Sequence, residues 1–164
     1  MDNYSLAEQL ISMAQRDQGA IMDVNRFKKV ARENAANLKK LVIRKWPSIG
    51  DIGQEGCDAA WLIAQHADYD IAFQKRCLRL IKNAVKKKEI PAHYYAYLYD
   101  RVCLNTNLPY QKFGTQIRCE GKGCFPYPPT EKKNADLDSL RNEYGLPPLA
   151  EYLRLFQKNN IQSN

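Results

Sequence analysis

The chain has no apolar run near the roughly 20 residues that a membrane-spanning helix needs. Its opening, MDNYSLAEQL, carries an acid where a secretory signal would carry bases, so export by that route is not expected. It holds no P-loop, no dinucleotide glycine fingerprint and no nucleophile elbow, which removes the enzyme classes those motifs mark. Histidine is scarce: His66 and His93 are the only two, far apart in sequence. The pair Cys119 and Cys124, without a second pair, is half a zinc site at most, so neither metal nor other cofactor is implied. Five cysteines are an odd number spread over 164 residues, too few for a disulfide framework. They read as reduced thiols and point to a cytoplasmic protein. Cys119 and Cys124 flank a turn and are the one plausible pair, with free thiols the expectation even there. Cys57, Cys77 and Cys103 occupy apolar helical positions, as small core residues do. Internal repeats and low-complexity tracts are also absent.

What is present fits a soluble globular chain. The hydrophobic fraction is 45% and the charged fraction 26%, with 10 Tyr, 5 Phe and 2 Trp to build a core, which excludes disorder as the main state. Lys and Arg exceed Asp and Glu by 25 to 18. Nearly all of that excess lies between Met22 and Lys45, where Arg26, Lys28, Lys29, Arg32, Lys39, Lys40, Arg44 and Lys45 face only Asp23 and Glu33. Such a segment is either a docking face for an acidic partner or a solvated helix face. It lacks the glycine and aromatic interleaving of nucleic-acid modules, which favours the second reading.

Apolar spacing predicts a mostly α (α+β) fold: a single domain over residues 1–157 of six to seven helices, with one small β-hairpin near 113–127 and a frayed polar tail at 158–164. The first helix runs from Tyr4 to Asp17. The basic helix, 22–45, stops at Trp46-Pro47, because the residue before proline avoids the α region. Pro47 to Gly56, with three glycines, reads as a loop. An almost wholly apolar helix follows over 55–67, then one over Ile71 to Lys88 capped by Asp68 or Asp70, and a fifth opened by Pro91 and ending near Leu104. Phe113, Thr115 and Ile117 alternate as in a strand, with Gly114 inside it marking a bulge or a close backbone approach. Short helices over 136–144 and 148–156 complete the chain.

Three polar constellations stand out. His66 shares a helix face with Ala59, Leu62 and Ile63, and Gln65, Asp68 and Gln74 lie beside it. A buried imidazole needs a partner for its N–H. Asp68 or Asp100 is the expected carboxylate, either as half of a general acid–base pair or as the satisfier of a core histidine. Asp100 and Arg101, neighbours on one helix, point about 100° apart and cannot readily pair. Each therefore needs a partner on another element: a clamped anion or an interhelical ion pair. Gln111, Thr115 and Gln116 offer amides and a hydroxyl either to a ligand or to a turn.

The strings Trp46-Pro47, Gln65-His66-Ala67-Asp68-x-Asp70, Phe73-Gln74, Ala96-Tyr97-Leu98-x-Asp100-Arg101, Gln111-x-Phe113-Gly114-Thr115-Gln116 and Gly145-Leu146-Pro147-Pro148-Leu149-x-Glu151-Tyr152 together resemble an uncharacterised bacterial family, catalogued as domain of unknown function 6624. The likeness extends from the block Met13 to Gln18 as far as Leu153. It implies that His66, Asp68, Gln74, Asp100, Arg101, Gln111 and Gln116 lie in the family's signature blocks, and it implies no activity. The basic second helix, Cys119 and Cys124 depart from the pattern.

So many polar groups in core-like positions exceed what stability needs. The expected function is an enzyme, a hydrolase or transferase, or a binder acting on a polar anionic small molecule. His66, Asp68 and Asp100 are its candidate catalytic residues, and Gln65, Gln74, Arg101, Gln111, Thr115 and Gln116 its ligand contacts, with Asp100, Arg101, Gln111 and Gln116 expected to line one pocket with His66. The alternative is an effector-like or toxin/immunity-type interaction module that grips an acidic macromolecule through the basic helix.

Overall fold

The computed structural model describes residues 3–121 and 123–162. Among them are seven helices and one two-stranded antiparallel sheet. The protein is mostly α with a small β element, as the periodicity indicates. Its contacts gather into two compact units, Met1–Ile90 and Pro91–Asn164. No helix among the described residues is long and apolar enough to cross a membrane.

The first unit is four helices: α1 (Asn3–Gln18), α2 (Val24–Leu41), α3 (Ile49–Gln65) and α4 (Ile71–Lys86). α1 buries Leu10, Met13, Ala14 and Asp17, a helical stripe with a carboxylate as its last member. It packs chiefly on α3, with α2 laid against both and α4 against α3. α2 starts where Asp23 accepts hydrogen bonds from the backbone N–H groups of Asn25 and Arg26, both at 3.0 Å. It ends at Leu41, short of the expected 45. Val42 leaves the helical region (φ −104°, ψ 55°) and is buried, so the chain turns inward before proline can stop it. Arg44 and Lys45 thus belong to the exit segment and not to the helix.

The stretch expected as a loop over 47–56 is largely helical. Ser48 and Asp51 form a reciprocal capping box, Ser48 Oγ accepting from Asp51 N at 3.1 Å and Asp51 Oδ2 accepting from Ser48 N at 3.3 Å. That cap outweighs the glycines, whose effect is confined to Gly53. There φ 71° and ψ 171° break the helix into two pieces, a conformation open essentially to glycine alone. α4 is capped by Asp70, whose carboxylate accepts from Phe73 N at 2.9 Å.

The second unit comprises α5 (His93–Asn105), β1 (Ile117–Glu120), β2 (Gly123–Pro126), α6 (Asn134–Glu143) and α7 (Leu149–Gln162). α5 begins two residues after Pro91, behind Ala92. The hairpin is shorter than the alternation implied, because residues 110–116 form a loop and the ladder starts only at Ile117. In that ladder Cys119 stands opposite Cys124, and the two are joined as a disulfide. This corrects the expectation of five free thiols: direct opposition in the register brings the two sulfurs together. Cys57, Cys77 and Cys103 are free and buried. α7 is helical through Gln162, past the expected end at 156, and the last two residues of the expected tail lie outside the described residues. Phe113, 4.7 Å from Tyr144 between ring centroids and edge-on to Tyr95 and Tyr99, centres an aromatic core.

Candidate functional site

His66 is the C-cap of α3, its backbone N–H bonded to Leu62 O at 3.0 Å. Its side chain is 18% exposed, and Nδ1 is hydrogen-bonded to Asp17 Oδ2. Within this unit Asp17, and not Asp68, takes the place on Nδ1. α1 lies along α3, so its last turn sets the Asp17 carboxylate, fully buried, beside the end of α3. Asp68 stands two residues beyond the cap, and its Oδ1 accepts from Gln74 Nε2 at 3.2 Å. A carboxylate can only accept, so His66 Nδ1 is the donor in this contact. Asp17 is the partner of His66 that spacing arguments missed. Its one sequence signal was its place in the Met13–Gln18 block.

His66 and Asp68 both line a cavity of about 380 Å³ whose other walls include Phe27, Lys28, Arg32 and Tyr69. The ring of His66 meets Phe27 edge-on at 5.1 Å. The Arg32 guanidinium lies 5.4 Å from the centroid of the Tyr69 ring, whose hydroxyl donates to Arg32 O at 3.3 Å. Burial raises the Tyr69 hydroxyl above its ordinary range, so it is a donor at neutral pH. The lining therefore combines two cationic side chains, two aromatic rings, an imidazole and a carboxylate.

Gln65 and Gln74 are buried near this cavity but do not line it. Gln74 Nε2 donates to the carbonyls of Ala64 (3.2 Å) and Gln65 (3.1 Å) as well as to Asp68. It closes the last turn of α3, where helix carbonyls have no partners within the helix. It thereby ties the end of α3 to the Asp68 carboxylate.

In the second unit the candidates converge on the 111–116 loop. Asp100, on α5 and fully buried, accepts from the backbone N–H groups of Lys112 (2.8 Å), Phe113 (3.1 Å) and Thr115 (2.9 Å) and from Thr115 Oγ1 (2.9 Å). Burial pushes its carboxyl above the usual range, while these donors pull it back. Gln111 holds the same loop from within, donating to Gln116 O (2.9 Å) and Pro128 O (2.6 Å) and accepting from Gln116 N (3.0 Å). Arg141, buried, donates to Phe113 O (2.5 Å) and Gly114 O (3.2 Å), and Tyr152 Oη donates to Thr115 O (3.1 Å). Arg101 reaches Gln116 Oε1 at 3.2 Å. Asp100 and Gln111 thus bond the backbone of this irregular loop and its neighbour Pro128, while the Thr115 hydroxyl donates to Asp100. Arg141, missed in the sequence, bonds the same loop backbone from α6.

Among the described residues no group of three or more His, Cys, Asp or Glu side chains could hold a metal ion. Of the basic side chains between 22 and 45, Lys39 is paired with Asp70 and Lys45 with Asp51. Part of that charge is therefore neutralised internally. The family described as "Family of unknown function (DUF6624)" matches residues 3–161. No curated protein and no solved structure matches the chain.

Proposed function

The chain belongs to the DUF6624 family, and on that premise we propose that it is an enzyme acting by general acid–base catalysis on a polar, anionic small molecule, with His66 as the proton-transferring group. The observation that carries this reading is the buried Asp17 carboxylate on His66 Nδ1, at the wall of a cavity that also holds Arg32 and Lys28. An imidazole fixed in one tautomer by a carboxylate presents Nε2 as a base and is stabilised when it takes up a proton. Lys28 and Arg32 supply the attraction for a phosphate or carboxylate, and the Phe27 and Tyr69 rings bound the apolar side. Asp68 is the carboxylate in the lining of the cavity itself and serves as the partner for proton relay. The reaction class is hydrolysis or group transfer, and cytoplasmic work belongs to the same reading.

The test uses p-nitrophenyl phosphate and p-nitrophenyl esters as chromogenic substrates. Turnover should fall by about 10²- to 10⁴-fold in His66→Gln and Asp17→Asn, with His66→Gln unfolding at the parent's temperature. Arg32→Gln should raise KM and leave kcat nearly unchanged. A parent that turns over none of these probes, or a His66→Gln variant as active as the parent, overturns the reading.

The alternative, an acidic macromolecule on the basic helix, keeps support from Lys28, Lys29 and Lys40, which are exposed on α2. The internal pairing of Lys39 and Lys45 weakens it.

A further inference from the structure

A second cavity of the first unit, about 360 Å³, lies between the exit segment of α2 and the C-terminal end of α4. Arg44, Lys45, Lys86 and Lys87 line it, and Glu89 is the one acidic residue in its wall. Lys45 is held by Asp51 at 3.0 Å, and Lys87 stands 4.0 Å from Glu89. Among the described residues neither Arg44 nor Lys86 is paired with a carboxylate. The C-terminal end of α4 brings a partial negative charge of its own, which Lys86 and Lys87 offset.

Charge alone would make this an ordinary basic rim. The second observation is Trp46, which also lines the cavity. It is 1% exposed, and its indole Nε1 is buried with no acceptor among the described residues. A buried N–H without an acceptor costs about 1–3 kcal/mol, and tryptophan's nitrogen is a donor only. Trp46, whose buried donor lacks an acceptor, thus belongs to the wall of a pocket with a mainly cationic lining. Leu80 and Ala84 give the same cavity an apolar wall. Its volume is within the small-ligand range of roughly 300–1,000 Å³.

We infer that this cavity is an anion site for a phosphorylated small molecule, with Arg44 and Lys86 neutralising the phosphate and the Trp46 indole N–H donating to it. Trp46 and Pro47 fix the exit segment against the core, Pro47 O accepting from Cys57 Sγ, so the donor is held and not swung in. The site is separate from the His66 cavity, with which it shares no lining residue.

The experiment follows the indole ¹⁵N–H resonances of the full chain by NMR while inorganic phosphate or glycerol phosphate is added, with sodium chloride at matched ionic strength as control. The Trp46 resonance, identified by its loss in Trp46→Phe, should move saturably on adding either phosphate and stay still in chloride, while Trp61 is unmoved. Arg44→Gln with Lys86→Gln, both at exposed positions, should weaken the apparent Kd at least about tenfold, the cost of losing one charge-assisted hydrogen bond. A Trp46 signal that does not respond, that responds equally to chloride, or that titrates unchanged in the double variant overturns the inference. His66→Gln should titrate like the parent, which keeps this result independent of the proposed catalytic role.

Discussion

Gly114 shows how much one residue carries in the 111–116 loop. Its φ is +71°, and a Cβ built there would sit 2.9 Å from Thr130 Cγ2 and 3.3 Å from Leu149 Cδ1. Gly114→Ala therefore meets both left-handed strain and overpacking, and should cost about 2 kcal/mol or more in a denaturant titration. A loss below about 0.5 kcal/mol would contradict the observed loop. The close approach expected of this glycine is real, but it occurs in a loop and not in a strand. The alternation misled over Phe113 and Thr115 because each is held inward for its own reason. Phe113 fills the aromatic core and Thr115 donates to Asp100.

At the scale of elements, helix ends decided where the polar residues went. Asp70 caps α4 and also pairs with Lys39 of α2. The Lys39 ammonium, then the Phe73 N–H, hold its carboxyl below the ordinary 3.8. A carboxyl with a depressed folded pKa adds stability that is fully present above its unfolded value and is lost as pH falls through the folded one. Asp70→Ala should thus cost about 1 kcal/mol at pH 7, and the gap between variant and parent should close as the pH drops below 3.8. Thermal unfolding of both proteins across pH 2.5–7, a range set by ordinary carboxyl titration at about 3.9, checks this. A gap unchanged at the acid end would remove the ion pair from the account. The capping box at Ser48 teaches the same lesson in reverse, since a sequence with three glycines still started a helix there.

For the whole molecule, the cysteines divide cleanly. Burial raises the thiols of Cys57 and Cys77 to about 12 and that of Cys103 to about 11. Almost no thiolate is present near pH 8, and none of the three is accessible. Ellman's reagent should find no reactive thiol in the native protein, three after denaturation without reductant, and five after reduction. Five thiols on denaturation alone would remove the Cys119–Cys124 bond. The sequence by itself determined that the chain is mostly helical, that Cys57, Cys77 and Cys103 are core residues, that Asp100 and Arg101 seek partners off their own helix, and that the family's signature blocks contain His66. Those properties follow from local periodicity and from the cost of burying polar groups. Which carboxylate meets His66, which donor meets Asp100 and whether Cys119 meets Cys124 were decided by tertiary structure alone. Each depends on two segments meeting in space: the last turn of α1 beside α3, a loop folded round α5, one register of a hairpin. Asp17 and His66, 49 positions apart, share no helical period, so only the packing of elements could bring Asp17 to the imidazole.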